Sequence, residues 1–209
     1  MIAPSLVPIA EARVGEAAAL LARAFLDDPG YVYALPDEAR RPAQLRWVYE
    51  RILRLSLPYG HVCGLVDERA ELLAITVWMP TRRGPGPWEM VRHGMLEFPI
   101  RVGVKETVRL VRCLVHMERT KAELCAKRPH WYLDQLAVEP GRQGQGLGRL
   151  ALGMSSERVA AEERLPSLLF TSKERNVPFY QGSGFAVTRS DWIGAPDDGF
   201  RLWAMQREL

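Results

Sequence analysis

The sequence predicts an α+β fold (mixed α/β), with helices packed around one central sheet of about seven strands. Three observations carry that expectation. Seven short apolar runs read as strands, and segments with apolar residues at the 3.6-residue helical period stand between them. No internal repeat, low-complexity tract or linker divides the chain. At 209 residues and 47% apolar content it buries one sizeable core, so a single domain over 1–209 is expected.

The elements follow in order. Residues 6–9 read as a first strand and 10–26 as a helix, with Leu20, Leu21, Ala24 and Phe25 on its apolar face. Asp27-Asp28-Pro29-Gly30 reads as a turn, and Asp37 as the cap of a second helix carrying Leu45, Val48, Ile52 and Leu55. Strands over 60–66 and 71–79 face each other across a hairpin. A flexible Thr81–Pro87 segment leads to a helical pair over 88–127. The first member is expected from Trp88 to Phe98, with Pro99 interrupting it, and Val104, Val108, Val111 and Val115 mark the buried stripe of the second. A strand at 131–138, a helix at 146–163, a strand at 167–171 and a helix at 176–182 follow, then strands near 184–190 and 200–206.

Composition narrows the function classes. No run reaches membrane-span length, and the N-terminus lacks a basic region followed by an apolar stretch and cleavage site, so no membrane partner is expected. Cys63, Cys113 and Cys125 are odd in number and widely spaced. They predict reduced thiols in a cytoplasmic setting, with no disulfide framework and no metal site. Lys and Arg number 28 against 25 Asp and Glu, and the arginines (Arg40, Arg41, Arg46, Arg51 and Arg54; Arg109, Arg112 and Arg119) scatter along helix faces as solvated surface. No nucleic-acid partner is expected.

The chemistry concentrates in Leu133–Gly148, an apolar strand running into a turn with Gly141, Gly144, Gly146 and Gly148. Glycines at this density allow positive φ and close approach of main chain to a ligand. Leu147, Leu150, Ala151 and Met154 start a helix there, whose first N–H groups have no internal partner and favour an anion, most naturally phosphate. A dinucleotide fingerprint fails because Arg149 stands where its third glycine belongs. A P-loop fails because Leu147 and Gly148 follow Gly146.

Gln143-x-x-Gly146-x-Gly148 after the strand residues Leu136-Ala137-Val138 resembles the acetyl-CoA motif of the GNAT superfamily of N-acetyltransferases. Asn176 followed by Phe179-Tyr180 and Gly184-Phe185 is similar to that family's second block, and the run His130–Val138 resembles bacterial members near puromycin acetyltransferase. The resemblance is specific over about residues 130–186. It implies a mostly antiparallel sheet splayed at a cofactor groove between the strand at 131–138 and that at 167–171. It also implies acetyl-CoA as co-substrate, its pantetheine arm along the backbone of Leu136, Ala137 and Val138. Backbone N–H groups of Gln143, Gly144, Gln145, Gly146, Leu147, Gly148 and Arg149 would hold the pyrophosphate, and Asn176 would bond to the pantetheine chain.

Acetylating an amine sets further requirements. An alkylammonium of pKa about 10.4 is free amine in only about one molecule in 2,500 at pH 7, a deficit of about 4.6 kcal/mol that a positioned base offsets. Strand parity places Tyr132, Asp134, Leu136 and Val138 on one face, which makes Asp134 the candidate base; a strand bulge would reverse its facing. Tyr180 stands where the family's proton donor to the departing thiolate stands, and a phenol stays protonated at neutral pH. The same tyrosine also reads as a core residue beside Phe179. Asp27, Asp28, Glu97, Glu106, Glu118, His93 and His116 are weaker candidates.

The expectation is an acetyl-CoA-dependent N-acetyltransferase working by direct transfer to the primary amine of a small molecule, with no metal and a homodimer possible. A protein N-terminal or lysine acetyltransferase is the alternative acceptor class. A non-catalytic acyl-CoA-binding regulatory module is the alternative from a different class.

Overall fold

The run Leu72–Pro80 is rich in Leu, Ile and Val and buried over most of its length, because helices cover it on both faces. It is the third strand of one seven-stranded sheet in a computed structural model that describes residues 3–126 and 128–208. The strands are β1 (Ser5–Pro8), β2 (His61–Val66), β3 (Leu72–Pro80), β4 (Trp131–Val138), β5 (Ser167–Thr171), β6 (Ala186–Ile193) and β7 (Phe200–Arg207). Their order is β1-β2-β3-β4-β5-β7-β6, antiparallel throughout except for the parallel pair β4–β5. The helices are α1 (Val14–Ala24), α2 (Pro29–Ala34), α3 (Arg41–Ser56), α4 (Pro87–Arg92), α5 (Phe98–Arg101), α6 (Val104–Cys125), α7 (Leu147–Glu162) and α8 (Val177–Gln181).

Alternation along β3 divides the core into two layers. Ile75 and Val77 pack with Ala137 against α1 and α3, where the alanines of α1 let the helix sit close to the sheet. Trp78 points the other way, into a cluster with Trp131, Leu133, Leu152 and Leu169 under α7 and α8. The outermost strand β6 carries Arg189 and Asp191, charges that suit an uncovered edge.

Five local expectations are corrected. The Asp27–Gly30 turn opens directly into α2, with Asp28 accepting a hydrogen bond from the Gly30 N–H at 3.0 Å and Pro29 in the first turn. Asp37 accepts from the N–H groups of Ala39 and Arg40, so it caps a turn while α3 begins at Arg41. Arg41 is buried rather than solvated, its guanidinium donating to the carbonyls of Leu35, Leu26 and Pro36. Pro99 does not break the first helix of the expected pair. It sits in the first turn of α5, where its missing N–H costs nothing, and the breaks fall at Gly94 (φ 90°) and Gly103 (φ 116°).

The fifth correction concerns α6. Val104, Val108, Val111 and Val115 are exposed by 66, 57, 45 and 42%, not buried. The face turned inward carries Leu110, Cys113, Met117, Thr120 and Cys125. The helix has two apolar stripes side by side, and periodicity alone does not choose the one its neighbours cover. The last residue of the expected pair, 127, lies outside the described residues.

The Trp78 indole N–H donates to the Ser155 hydroxyl of α7 at 3.0 Å inside the second core layer. Ser155→Ala strands that donor, which costs about 1–3 kcal/mol. Thermal unfolding followed by circular dichroism should show a fall in Tm of about 2–4 °C per kcal/mol; an unchanged Tm would mean the bond contributes nothing.

Candidate active site

Strand β4 shapes the site through one extra residue. Val77 of β3 pairs with Gln135 and Trp78 with Leu133, so Asp134 is bulged out of the ladder. The bulge shifts the parity expected for a regular strand. Tyr132 and Ala137 face the layers under α6 and α1, while Leu133, Leu136 and Val138 face α7 and α8. Residues 132, 134, 136 and 138 therefore do not share one face, although Tyr132 and Asp134 both line the cavity described below.

The parallel neighbour β5 pairs with β4 at only three positions, Trp131–Ser167, Tyr132–Leu168 and Leu133–Leu169. Beyond them the strands part. Over Leu136–Val138 the ladder to β3 persists and the opposite edge has no strand partner among the described residues, so its backbone groups are left to a ligand or water.

The glycine turn begins where β4 ends. The Gln143 side chain donates back to the Val138 carbonyl at 3.3 Å, anchoring the turn. Gly144 and Gly146 both have φ of +79°, and a Cβ on either would meet nothing within 4 Å. Glycine is needed there for the left-handed backbone, not for want of space. Gly146 is the N-cap of α7, and residues 142–146, Gln145 among them, are exposed, so the first N–H groups of the helix face open solvent. Leu147 tucks in beside Leu136 and Val138 and fixes the helix start. Gly148 lies between Val138 and Phe179, and Arg149 reaches Gly182 at the end of α8. The two sequence blocks are thus in contact.

Tyr180 on α8 is buried in the second core layer, as its reading beside Phe179 expects. Its ring packs edge-on against Phe179 (5.0 Å between centroids) and Phe185 (6.0 Å), and the residue lines a cavity of about 1120 Å³ that meets the β4–β5 gap. Burial, then the Asp28 charge, pushes its phenol above the ordinary tyrosine range, which keeps the proton in place. Asn176 donates its amide N–H to Thr171 at 3.2 Å, tying the start of α8 to the end of β5 beside the gap.

Three of the candidate carboxylates line this cavity: Asp28, Glu118 and Asp134. Asp134 is half-buried, and burial holds its carboxyl above the ordinary range against the opposing pull of Lys121. Asp28 is 8% exposed, and both its oxygens lie 2.7 Å from the Ser172 hydroxyl that donates to them. Burial raises it too, with Ser172 opposing. Sequence reasoning ranked Asp28 low; an Asp followed by Pro is a helix-start signal that would have given it a fixed position. Glu118 is ion-paired with Lys121. Asp27 pairs with Lys173, His116 with Asp191, and neither these nor His93, Glu97 and Glu106 line the cavity. His130, also unranked, does line it; its Nδ1 meets the Arg128 carbonyl at 3.0 Å, and its buried Nε2 has no partner among the described residues.

An open glycine turn at a helix N-terminus, an adjoining strand edge with no strand partner among the described residues and a protonated phenol in the cavity beside that edge fit a phosphate-bearing thioester with an extended arm. Comparison with known proteins agrees. Residues 116–209 match the family model of the acetyltransferase (GNAT) domain. An uncharacterised N-acetyltransferase of Schizosaccharomyces pombe is 28% identical over 200 residues, covering 92% of this chain and 78% of that protein. Among solved structures, a histone acetyltransferase HPA2-related acetyltransferase from Corynebacterium glutamicum superposes with a TM-score of 0.66 at 22% identity, over 99% of this chain and 97% of the other. Arylalkylamine N-acetyltransferase 2 from Aedes aegypti gives 0.72 at 14% identity, over 98% of each chain. Residues 116–209 thus carry the match to the GNAT acetyltransferase domain, and the seven-stranded sheet as a whole shares the fold of the solved acetyltransferases.

Proposed function

We propose that the protein transfers the acetyl group of acetyl-CoA directly to the primary amine of a small molecule. One observation carries this reading: Tyr180, Asp28, Asp134 and the β4 edge at Leu136 line one cavity, and the glycine turn of α7 opens beside that same edge. Acetyl-CoA, when bound, supplies the activated acetyl group. The N–H groups from Gln143 to Arg149 bind its phosphates, and the edge of Leu136–Val138 aligns its arm. Asp134 accepts the proton of the incoming amine, directly or through water. Asp28, its oxygens engaged by Ser172 and Gly30, orients the ammonium. Tyr180 gives its phenolic proton to the departing sulfur.

The burial of Asp28 and the placing of Asp134 in the cavity wall favour a small acceptor, as in the arylalkylamine acetyltransferase it resembles in fold, over a protein terminus. Cys63 and Cys125, buried and unpaired, fit a reducing, cytoplasmic setting.

Thiol release from acetyl-CoA with a panel of amines tests the reading. Tyr180→Phe should lower kcat by about 10²-fold or more while leaving coenzyme affinity intact; unchanged turnover removes Tyr180 from the chemistry. Because burial raises the Asp134 carboxyl, the base is lost as pH falls through a value above the ordinary aspartate figure of about 3.9. The acidic limb of kcat/KM should lie above that figure in the parent enzyme and vanish in Asp134→Asn. Gly146→Ala forces a Cβ into left-handed backbone, a strain of about 1–2 kcal/mol, so calorimetry should show coenzyme A binding weakened by roughly 5–30-fold.

A further inference from the structure

The two ends of the cavity differ in charge. Along β4, Pro80 of β3 stands opposite Trp131, and Asp134 lies three residues further on, about 10 Å at the usual strand rise. Asp28 lies beyond Asp134, held at Ser172 just past the end of β5. Both carboxylates therefore belong to the inner end. At the outer end the lining comes from the segment after β3 and the residues before β4, and there it carries Arg82, Arg83 and Arg128. Arg82 is paired with Glu163 at 2.9 Å. Arg83 and Arg128 are exposed and form no ion pair among the described residues. Glu118, the third carboxylate, is neutralised by Lys121, whose ammonium sits 4.1 Å over the Tyr132 ring. Between the ends, the wall is apolar: Met79, Phe98, Leu110, Cys113, Met117 and Phe170.

From this polarity we infer that the acceptor is an elongated apolar monoamine whose outer end is neutral or anionic, and that diamines and guanidino-amines are disfavoured. The inference rests on the acetyl-transfer reading above. The inner carboxylates attract one ammonium, the middle of the cavity rewards methylenes or an aromatic ring, and a second cation would arrive against Arg83 and Arg128. A carboxylate at that end would instead find two donors without a partner.

The test compares CoA release with octylamine, 8-aminooctanoate, 1,8-diaminooctane and agmatine at one ionic strength. Octylamine and 8-aminooctanoate should exceed 1,8-diaminooctane and agmatine in kcat/KM by about tenfold or more. Shortening the alkylamine should lower kcat/KM by about fourfold per methylene removed. Replacing both rim arginines (Arg83→Glu with Arg128→Glu) should reverse the order of the amino acid and the diamine. A diamine or agmatine equal to octylamine, or a rate indifferent to chain length, overturns the inference while leaving acetyl transfer standing. Calorimetric binding of CoA without release from any of these amines overturns the acetyl-transfer reading, and this assignment with it.

Discussion

The parting of β4 from β5 after three residue pairs is the constraint on which the rest of the site depends. Parallel strands in the middle of a sheet normally satisfy each other's backbone groups, and leaving an edge unpaired there carries the desolvation cost of every polar group not solvated or bound. The fold tolerates the gap because β3 continues to hold β4 through Val138, and because α7 and α8 brace the two strands from one side. The bulge at Asp134 belongs to the same construction. It falls one residue past the last β4–β5 pair and turns an acidic side chain toward the cavity while the following residues turn toward α7.

Burial does more to tune the site than any ion pair. Asp28, Asp134 and Tyr180 are all raised first by desolvation, with hydrogen bonds and nearby charges as smaller corrections. For the carboxylates this means greater basicity than an exposed aspartate has, which suits proton acceptance near neutral pH. For the phenol it secures the protonated form. The same apolar surroundings that shift these groups also form the walls between the inner and outer ends, so the tuning and the proposed acceptor preference share one cause.

Several features were legible without coordinates. The hairpin β2–β3, the glycine turn, α7 and the Asn176–Phe185 block each declare themselves by local patterns: alternation, turn residues, helical spacing and a cap. Tyr180 stood out because its neighbours framed it. What local patterns missed was decided by neighbours far away in the chain. The stripe of valines on α6 is as periodic as a buried face, yet the sheet and α2 cover the adjacent stripe instead. Asp28 reads as a turn residue until Ser172, 144 positions later, closes over it.

The order of the seven strands and the glycine turn into α7 were thus determined by the sequence alone, since they follow from residues close together in the chain. Only the tertiary structure decided which carboxylates share a cavity with the phenol, which face of α6 is covered and which way β4 turns after its bulge. Those depend on burial and strand register, which arise only when distant segments exclude water from one another.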